Sequence, residues 1–338
     1  MKAMVLAAGL GTRLRPATNV VPKPLFPVLG VPAIEWALRG LRQAGVTEAV
    51  VNLHHLPGAI VRRLGDGRGI GVRIEYREEP EILGTGGGMS AVRAFFAGDA
   101  PFFLHNGDVF TDWDLRAIRD RHAAAGADAT MALADPPDMP QARLVEVGPD
   151  GDVVGVRGRP AAGDGPRYVF SGVSVLTASL LRQLPLEGPS CLVEQGLIPL
   201  MAAGRRVAAA LPGGRFCDIG TAERFLALQW EVFPRAEALF VARGMEPPRV
   251  IAPGVCVAGS PVIAAGVLFL ISRGGGTLGP ALLLGDAPPL AALLGQAPVF
   301  DGLWPALAGT LALVAGTGLL ALPLGILAGI HLAESRSE

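Results

Sequence analysis

Two periodicities alternate along the first part of the chain. Short aliphatic runs at residues 3–7, 49–54, 72–76, 102–106 and 129–134 have the length and β-branched content of strands. Between them, residues 32–44, 57–64, 87–96 and 114–125 place apolar positions three and four apart, the spacing of one helical face. Strand–helix alternation predicts βαβ units and an α/β fold with a doubly wound, mostly parallel sheet. From residue 142 the pattern changes to short strands at 144–147, 152–156 and 168–176, split by Gly, Pro and Asp. Helical spacing returns at 179–184, 191–203 and 221–233, with strands near 207–211 and 216–219.

Beyond Arg249 the character shifts. Ile251, Val257 and Ile263 are each followed by Ala, a six-residue period that fits a short stub of parallel β-helix. Residues 250–272 also carry no charge, so a membrane segment stands beside that reading. Residues 302–333 hold no Asp, Glu, Lys or Arg, more than the roughly 20 apolar residues that cross a bilayer. Trp304 stands at one edge, where interfacial aromatics sit. The expected organisation is a catalytic α/β domain over 1–245, a linker with truncated coils over 246–265, and an apolar segment over 266–338 with a transmembrane helix at 303–333.

The 338 residues, half of them hydrophobic, suffice for one sizeable core plus extra material. A formal net charge of -1 leaves no basic excess to coat a nucleic acid. Cys191, Cys217 and Cys256 are too few and scattered for a disulfide framework, no CxxC pair marks zinc, and the start of the chain carries no secretory leader. A cytoplasmic setting fits, with tethering to the inner face of the membrane if the C-terminal segment inserts. Arginine supplies nearly all the positive charge; Lys2 and Lys23 are the only lysines, which draws attention to position 23.

The first predicted strand empties into Ala8-Gly9-Leu10-Gly11-Thr12-Arg13. A glycine-rich turn there can lay backbone N–H groups around phosphate oxygens, although Gly9 and Gly11 alone are also an ordinary tight turn. A dinucleotide fingerprint would need glycine where Leu14 stands, and no Gly-Lys-Ser/Thr ending marks a Walker loop. Arg13 and Lys23 could clamp a triphosphate, one as a fork and the other as a point charge. The strand at 102–106 ends in Asn106-Gly107-Asp108, which delivers a carboxylate to the sheet edge where α/β folds bind ligands, or simply caps a turn.

Residues 3–30 resemble the signature of the nucleotidyltransferases that make nucleotide sugars, including mannose-1-phosphate guanylyltransferases and N-acetylmuramate-1-phosphate uridylyltransferases. The resemblance continues in Leu83-Gly84-Thr85-Gly86, Asn106-Gly107-Asp108, Phe170-Ser171-Gly172 and Phe216-Cys217-Asp218-Ile219-Gly220-Thr221. It implies a Rossmann-like sheet of the nucleotide-diphospho-sugar transferase type. It further implies Mg²⁺ held by Asp108 and Asp218, with Arg13 and Lys23 as catalytic cations. Nucleotide contacts are expected from Ala8, Gly9, Gly11, Thr12, Arg13, Lys23, Asn52, Gly84, Thr85 and Gly86, with the glycines of the second motif letting the base approach. On the sugar side the resemblance implies Asn106, Arg159, Gly172 and Glu194; the Glu that usually precedes the position of Arg159 is Gly158 here.

The implied partners are a nucleoside triphosphate, GTP or UTP favoured, and a sugar 1-phosphate whose oxygen attacks the α-phosphorus. Homo-oligomerisation stays open. A non-catalytic nucleotide-sugar-sensing module on the same fold is the competing reading; loss of Arg13, Lys23 or either Asp would favour it, and all four are present. From about Gly266 the chain instead resembles the opening membrane helices of a phosphate ABC-transporter permease, as if another reading frame had been joined within the coils. A gene fusion, a frameshift and an assembly error are open explanations, and a membrane-tethered transporter fragment is a third functional class.

Overall fold

The computed structural model describes residues 1–96, 98, 100–135, 144–159 and 165–246, together with the backbone of 249–252 and 255–257. The chain opens with β1 (Lys2–Leu6), then three single 3₁₀ turns and a small hairpin of β2 (Pro27–Val28) and β3 (Val31–Pro32) that delivers α1 (Ala33–Gln43). There follow β4 (Glu48–Leu53), α2 (Pro57–Leu64), β5 (Arg73–Glu78), α3 (Gly84–Ala91), β6 (Phe102–Asn106), β7 (Val109–Thr111), α4 (Leu115–Ala125) and β8 (Ala129–Ala134). The second half adds β9 (Leu144–Val147), β10 (Val153–Val156), β11 (Arg167–Leu176), α5 (Ala178–Leu181), α6 (Ile198–Ala202), β12 (Val207–Ala210), β13 (Phe216–Asp218), α7 (Ala222–Val232) and α8 (Ala236–Ala242).

A nine-stranded sheet organises these elements, with β10-β9-β11-β6-β1-β4-β5 in order and the β8–β12 pair joined through β11. The strands from β6 to β5 pair in parallel, as do β8 and β12. β11 runs antiparallel to β6, β8 and β9, and β10 antiparallel to β9. Only those two strands therefore oppose the common direction, and the expected mostly parallel α/β sheet is present. Alternate residues of β1 feed opposite faces. Ala3 and Val5 pack with Leu38, Leu41 and Ile118 of α1 and α4, while Met4 packs with Met89, Leu180 and Leu197. Both faces of the sheet are covered, which is why its central strands read as continuous apolar runs.

Several segments differ from the periodicity. The helix expected at 87–96 begins at Gly84 and gives way to a 3₁₀ turn over Arg93–Phe96. The helix expected at 191–203 is split: Leu192–Leu197 winds as a π-helix and only then continues as α6. Pro199 explains the split, since its ring crowds the Gln195 carbonyl and it has no N–H to return to it. Helix α8 and strand β7 were not expected. Strands β14 (Arg249–Ala252) and β15 (Val255–Val257) pair antiparallel. The remaining six-residue coils, the permease-like segment and the helix expected at 303–333 lie outside the described residues. Among the described residues, no helix is long and apolar enough to cross a membrane.

His105, on central strand β6, is 1% exposed and uses its Nδ1–H on the Asn106 carbonyl, while Nε2 has no partner among the described residues. Burial pushes its pKa down from 6.5 to about 4. The unfolded chain therefore binds more protons than the native one between those values, so stability is full above pH 6.5 and falls as the pH drops toward 4. Denaturant unfolding at pH 7 and pH 4 should differ by about 3 kcal/mol from this group alone, a difference that His105→Phe should reduce.

Candidate active site

Strand β1 points its carboxyl end at a loop that is restrained from both limbs. Ala7 N–H donates to Asn52 Oδ1 at 2.8 Å, which ties the near limb to β4. Farther on, the Thr18 hydroxyl donates to the Gly11 carbonyl at 3.0 Å, and the Thr18 carbonyl meets His55 Nε2. Gly11 is left-handed at φ 63, and a Cβ there would sit 2.8 Å from Thr18 Cγ2, so glycine is required for the loop to close. Gly9 is different: a Cβ there meets nothing within 4 Å, and the residue faces an open cleft. Thr12 and Arg13 stand exposed in the first 3₁₀ turn. Thr18 and His55, which hold the loop, carried no motif signal in the sequence.

The two aspartates meet because of a strand pairing. Gly107 N–H donates to the Leu6 carbonyl at 2.8 Å, Asp108 follows, and β7 then pairs antiparallel with β13, Val109 opposite Asp218. Ile219 N–H closes the ladder on the Asp108 carbonyl at 3.2 Å. Lys23, only 8% exposed, puts its ammonium between the two side chains, donating to Asp218 Oδ1 at 3.0 Å and to Asp108 Oδ2. Arg13 reaches within 4.0 Å of Asp218 Oδ2 and lies across Gly220, whose Cβ would come 3.2 Å from the guanidinium. Arg224, in the first turn of α7 behind the Thr221 cap, approaches the same Asp218 oxygen at 4.0 Å, and no motif marks it in the sequence. The neighbouring Cys217 thiol is pushed up to about 11 by burial, so it stays protonated and is no nucleophile at neutral pH.

An open cleft of about 200 Å³ lies beside this cluster, lined by Leu6, Ala8, Gly9, Asn52, Glu79, Ile82, Gly84, Thr85, Asn106 and Asp108. Asn52 faces the cleft but is 2% exposed, and its amide is engaged at both ends: Oδ1 accepts from Ala7, and Nδ2 donates to Glu79 Oε1 at 2.8 Å. Glu79, equally buried, accepts from Leu83 N–H through its other oxygen at 3.1 Å. Together they fasten the Leu83–Gly86 turn to β4. Glu79→Ala leaves the buried Asn52 amide and the half-buried Leu83 N–H unpaired and should cost about 1–3 kcal/mol. A lower denaturation midpoint with a raised KM for nucleotide is the expected outcome.

The glycines of that turn also make room for another part of the chain. A Cβ on Gly84 would meet the Ser190 carbonyl at 2.6 Å, one on Gly86 the Ser190 hydroxyl at 2.6 Å, and one on Gly87 the Gly188 carbonyl at 2.6 Å. They let the start of α3 seat against segment 188–192, where Gly86 N–H donates to the Ser190 carbonyl and Leu192 N–H to Thr85 Oγ1, both at 2.9 Å. Asn106 and Gly172 are neighbours: Gly172, at φ 81 in a bulge of β11, leaves the room that the Asn106 amide fills. Arg159 and Glu194 are paired with each other, and Glu194 also accepts from Arg157 at 3.0 Å. The Arg159 guanidinium, with Arg157 behind it, holds the Glu194 carboxyl below the usual carboxylate range. Neither Arg159 nor Glu194 lines the cleft.

A cleft at the carboxyl edge of a parallel sheet, with two acids and two strong cations at one end, has the form of a phosphate-handling site. The nucleotidyl transferase family model matches residues 2–232. An N-acetylmuramate alpha-1-phosphate uridylyltransferase of Neisseria meningitidis is 35% identical over 68% of this chain and 97% of its own length. A mannose-1-phosphate guanylyltransferase of Mycobacterium tuberculosis is 28% identical over 84% of this chain and 78% of its own. Among solved structures, a putative glucose-1-phosphate thymidylyltransferase from Bacillus anthracis superposes with a TM-score of 0.60 at 21% identity, covering 74% of this chain and 98% of that one. The chain belongs to the nucleotidyl transferase family and is an enzyme of the sugar-1-phosphate nucleotidyltransferase class.

Proposed function

We propose that the enzyme transfers a nucleotidyl group from GTP or UTP to mannose 1-phosphate or an N-acetylmuramate 1-phosphate, releasing pyrophosphate. The observation that carries this reading is the meeting of Asp108, Asp218, Lys23 and Arg13 at the mouth of the cleft. The relatives named for those two substrates support the choice of base and sugar.

The chemistry asks little of acid–base groups, since the attacking phosphate oxygen is already an anion. What it needs is two mutually repelling anions held in line and charge absorbed at the α-phosphate and leaving group. Asp108 and Asp218 suit Mg²⁺, a hard cation that takes few protein oxygens and keeps places for phosphate and water; Lys23 already fills the gap between them with a positive charge. When bound, that ion supplies charge neutralisation on phosphate oxygens. Among the described residues no group of three or more His, Cys, Asp or Glu comes together, so the two carboxylates would be its protein ligands. Lys23 and Arg13 donate to the triphosphate, the loop from Ala8 to Gly11 offers backbone N–H groups, and the Leu83–Gly86 turn receives the base. Asn106 and Gly172 present the edge of β6 and β11 to the sugar.

The test is pyrophosphate release by the full chain with Mg²⁺ against a panel of nucleoside triphosphates and sugar 1-phosphates. Turnover with GTP or UTP is expected, and abolished by EDTA. Silence across the panel would favour a nucleotide-sugar-sensing module, and turnover restricted to dTTP or ATP would overturn the choice of base.

A further inference from the structure

Strand β4 lies between β1, which empties into the glycine loop, and β5, which leads to the Leu83–Gly86 turn, so its carboxyl end stands between the two loops that border the cleft. The ladder ends at Asn52 toward β1 and at Leu53 toward β5, and His54 and His55 come next. A carbonyl oxygen only accepts, so both rings act as donors. His54 gives its Nδ1–H to the Glu79 carbonyl at 2.8 Å, and His55 gives its Nε2–H to the Thr18 carbonyl. Glu79 lines the cleft. Thr18, wholly buried, in turn holds the Gly11 carbonyl through its hydroxyl at 3.0 Å, just beyond Gly9 on the cleft wall. Two histidines adjacent in sequence therefore brace opposite limbs of one site.

The sheet does not need these bonds, because β4 is already paired along its length with both neighbours. They add cross-links beyond the ladder, and only to the loops at the cleft. On one side they complete the fastening of Glu79: its N–H donates to the Leu53 carbonyl at 2.7 Å, its carboxylate takes Asn52 and Leu83, and its carbonyl takes His54. The exit from β4 is also strained. Leu56 is left-handed at φ 52 and Pro57 follows it, although a bulky side chain and a succeeding proline both resist that conformation. The chain thereby turns into α2 directly after His55 and leaves both rings at the end of the strand. Strain held in this way is characteristic of ligand clamps.

Resting on the transferase reading above, we propose that His54 and His55 are positioning residues that set the two halves of the nucleotide site separately, His54 the turn that receives the base and His55 the loop that receives the phosphates. Neither ring lines the cleft; each acts through the carbonyl it holds. Phenylalanine at either position keeps a ring and removes the donor, while His54→Asn and His55→Gln give up the ring but keep an N–H where Nδ1 and Nε2 stand. Calorimetric titration of the full chain with GTP, UTP and the matching monophosphates, in Mg²⁺, separates the halves without turnover. His55→Phe should weaken the better triphosphate about tenfold, the worth of one hydrogen bond, and leave its monophosphate near the wild-type value. His54→Phe should weaken both by that factor and shrink the preference between the two bases. His55→Gln and His54→Asn should recover most of the loss, and KM for sugar 1-phosphate should stay unchanged in all four variants. Equal losses for triphosphate and monophosphate in both phenylalanine variants, amide variants no better than phenylalanine, or unaltered affinities each overturn the proposal and leave the transferase reading intact. The expected split in binding without transfer to any sugar 1-phosphate overturns the transferase reading alone. A wild-type chain that binds neither triphosphate overturns both.

Discussion

Asp218→Asn or Asp108→Asn should lower pyrophosphate release by about 10²–10³-fold, the cost of losing one preorganised electrostatic group. Asparagine keeps the size and removes the charge, so the β7–β13 ladder that carries both positions stays paired through its backbone. What changes is the electrostatics around Lys23, which is buried and finds its charge balance in these two carboxylates. With one acid gone, a divalent cation would lose a ligand and Lys23 would bind the survivor without competition. The loss should fall on kcat and on the Mg²⁺ concentration for half-maximal rate, with KM for the sugar phosphate little altered. Steady-state kinetics across a Mg²⁺ titration check this. A variant with near-native turnover at low Mg²⁺ would remove the aspartates from the mechanism.

Gly172→Ala is the second large expected effect. A Cβ at this position would lie 2.2 Å from Asn106 Nδ2 and 2.6 Å from its Cγ, inside any tolerable contact. The backbone is also left-handed, at φ 81, where alanine pays a steric cost of about 1–2 kcal/mol. Asn106 must turn away, and Asn106 lines the cleft beside Asp108. Misplacement of a positioning group by about 1 Å can cost on the order of 10²-fold in rate, so kcat/KM for the sugar phosphate should fall by about that factor. The double variant Gly172→Ala with Asn106→Ala removes the amide clash but not the backbone strain, and should regain part of the lost melting temperature but not activity. If the single variant is as stable and active as the wild type, Asn106 has no fixed place in the site.

Much of this was legible before any coordinates. Strand and helix periods gave the parallel half of the sheet because its strands are buried on both faces and its helices carry single apolar stripes. The four charged residues named from the motifs, Arg13, Lys23, Asp108 and Asp218, come together in space. Their meeting depends on the pairing of β7 with β13 across more than a hundred residues, which no local pattern encodes. Other features were illegible for definite reasons. The glycines of Leu83–Gly86 read as space for a base; that the empty Cβ directions of Gly84 and Gly86 face Ser190 is a tertiary contact invisible in their own sequence. Asn52 read as a base contact and does line the cleft; that Ala7 and Glu79 engage its amide is a contact across elements that no local pattern encodes. The π-turn at Leu192–Leu197 hid inside a helical spacing because Pro199, a residue helices tolerate near their start, acts back on the turn before it.

In the proposed mechanism, acids from two remote stretches would grip one divalent ion opposite the nucleotide loop. Mn²⁺ binding followed by electron paramagnetic resonance, with a non-hydrolysable nucleotide present, reads that grip without turnover. The wild-type chain should take up the ion in a nucleotide-dependent way, and the Asp108→Asn, Asp218→Asn double variant should not. Equal Mn²⁺ uptake by both proteins would contradict it.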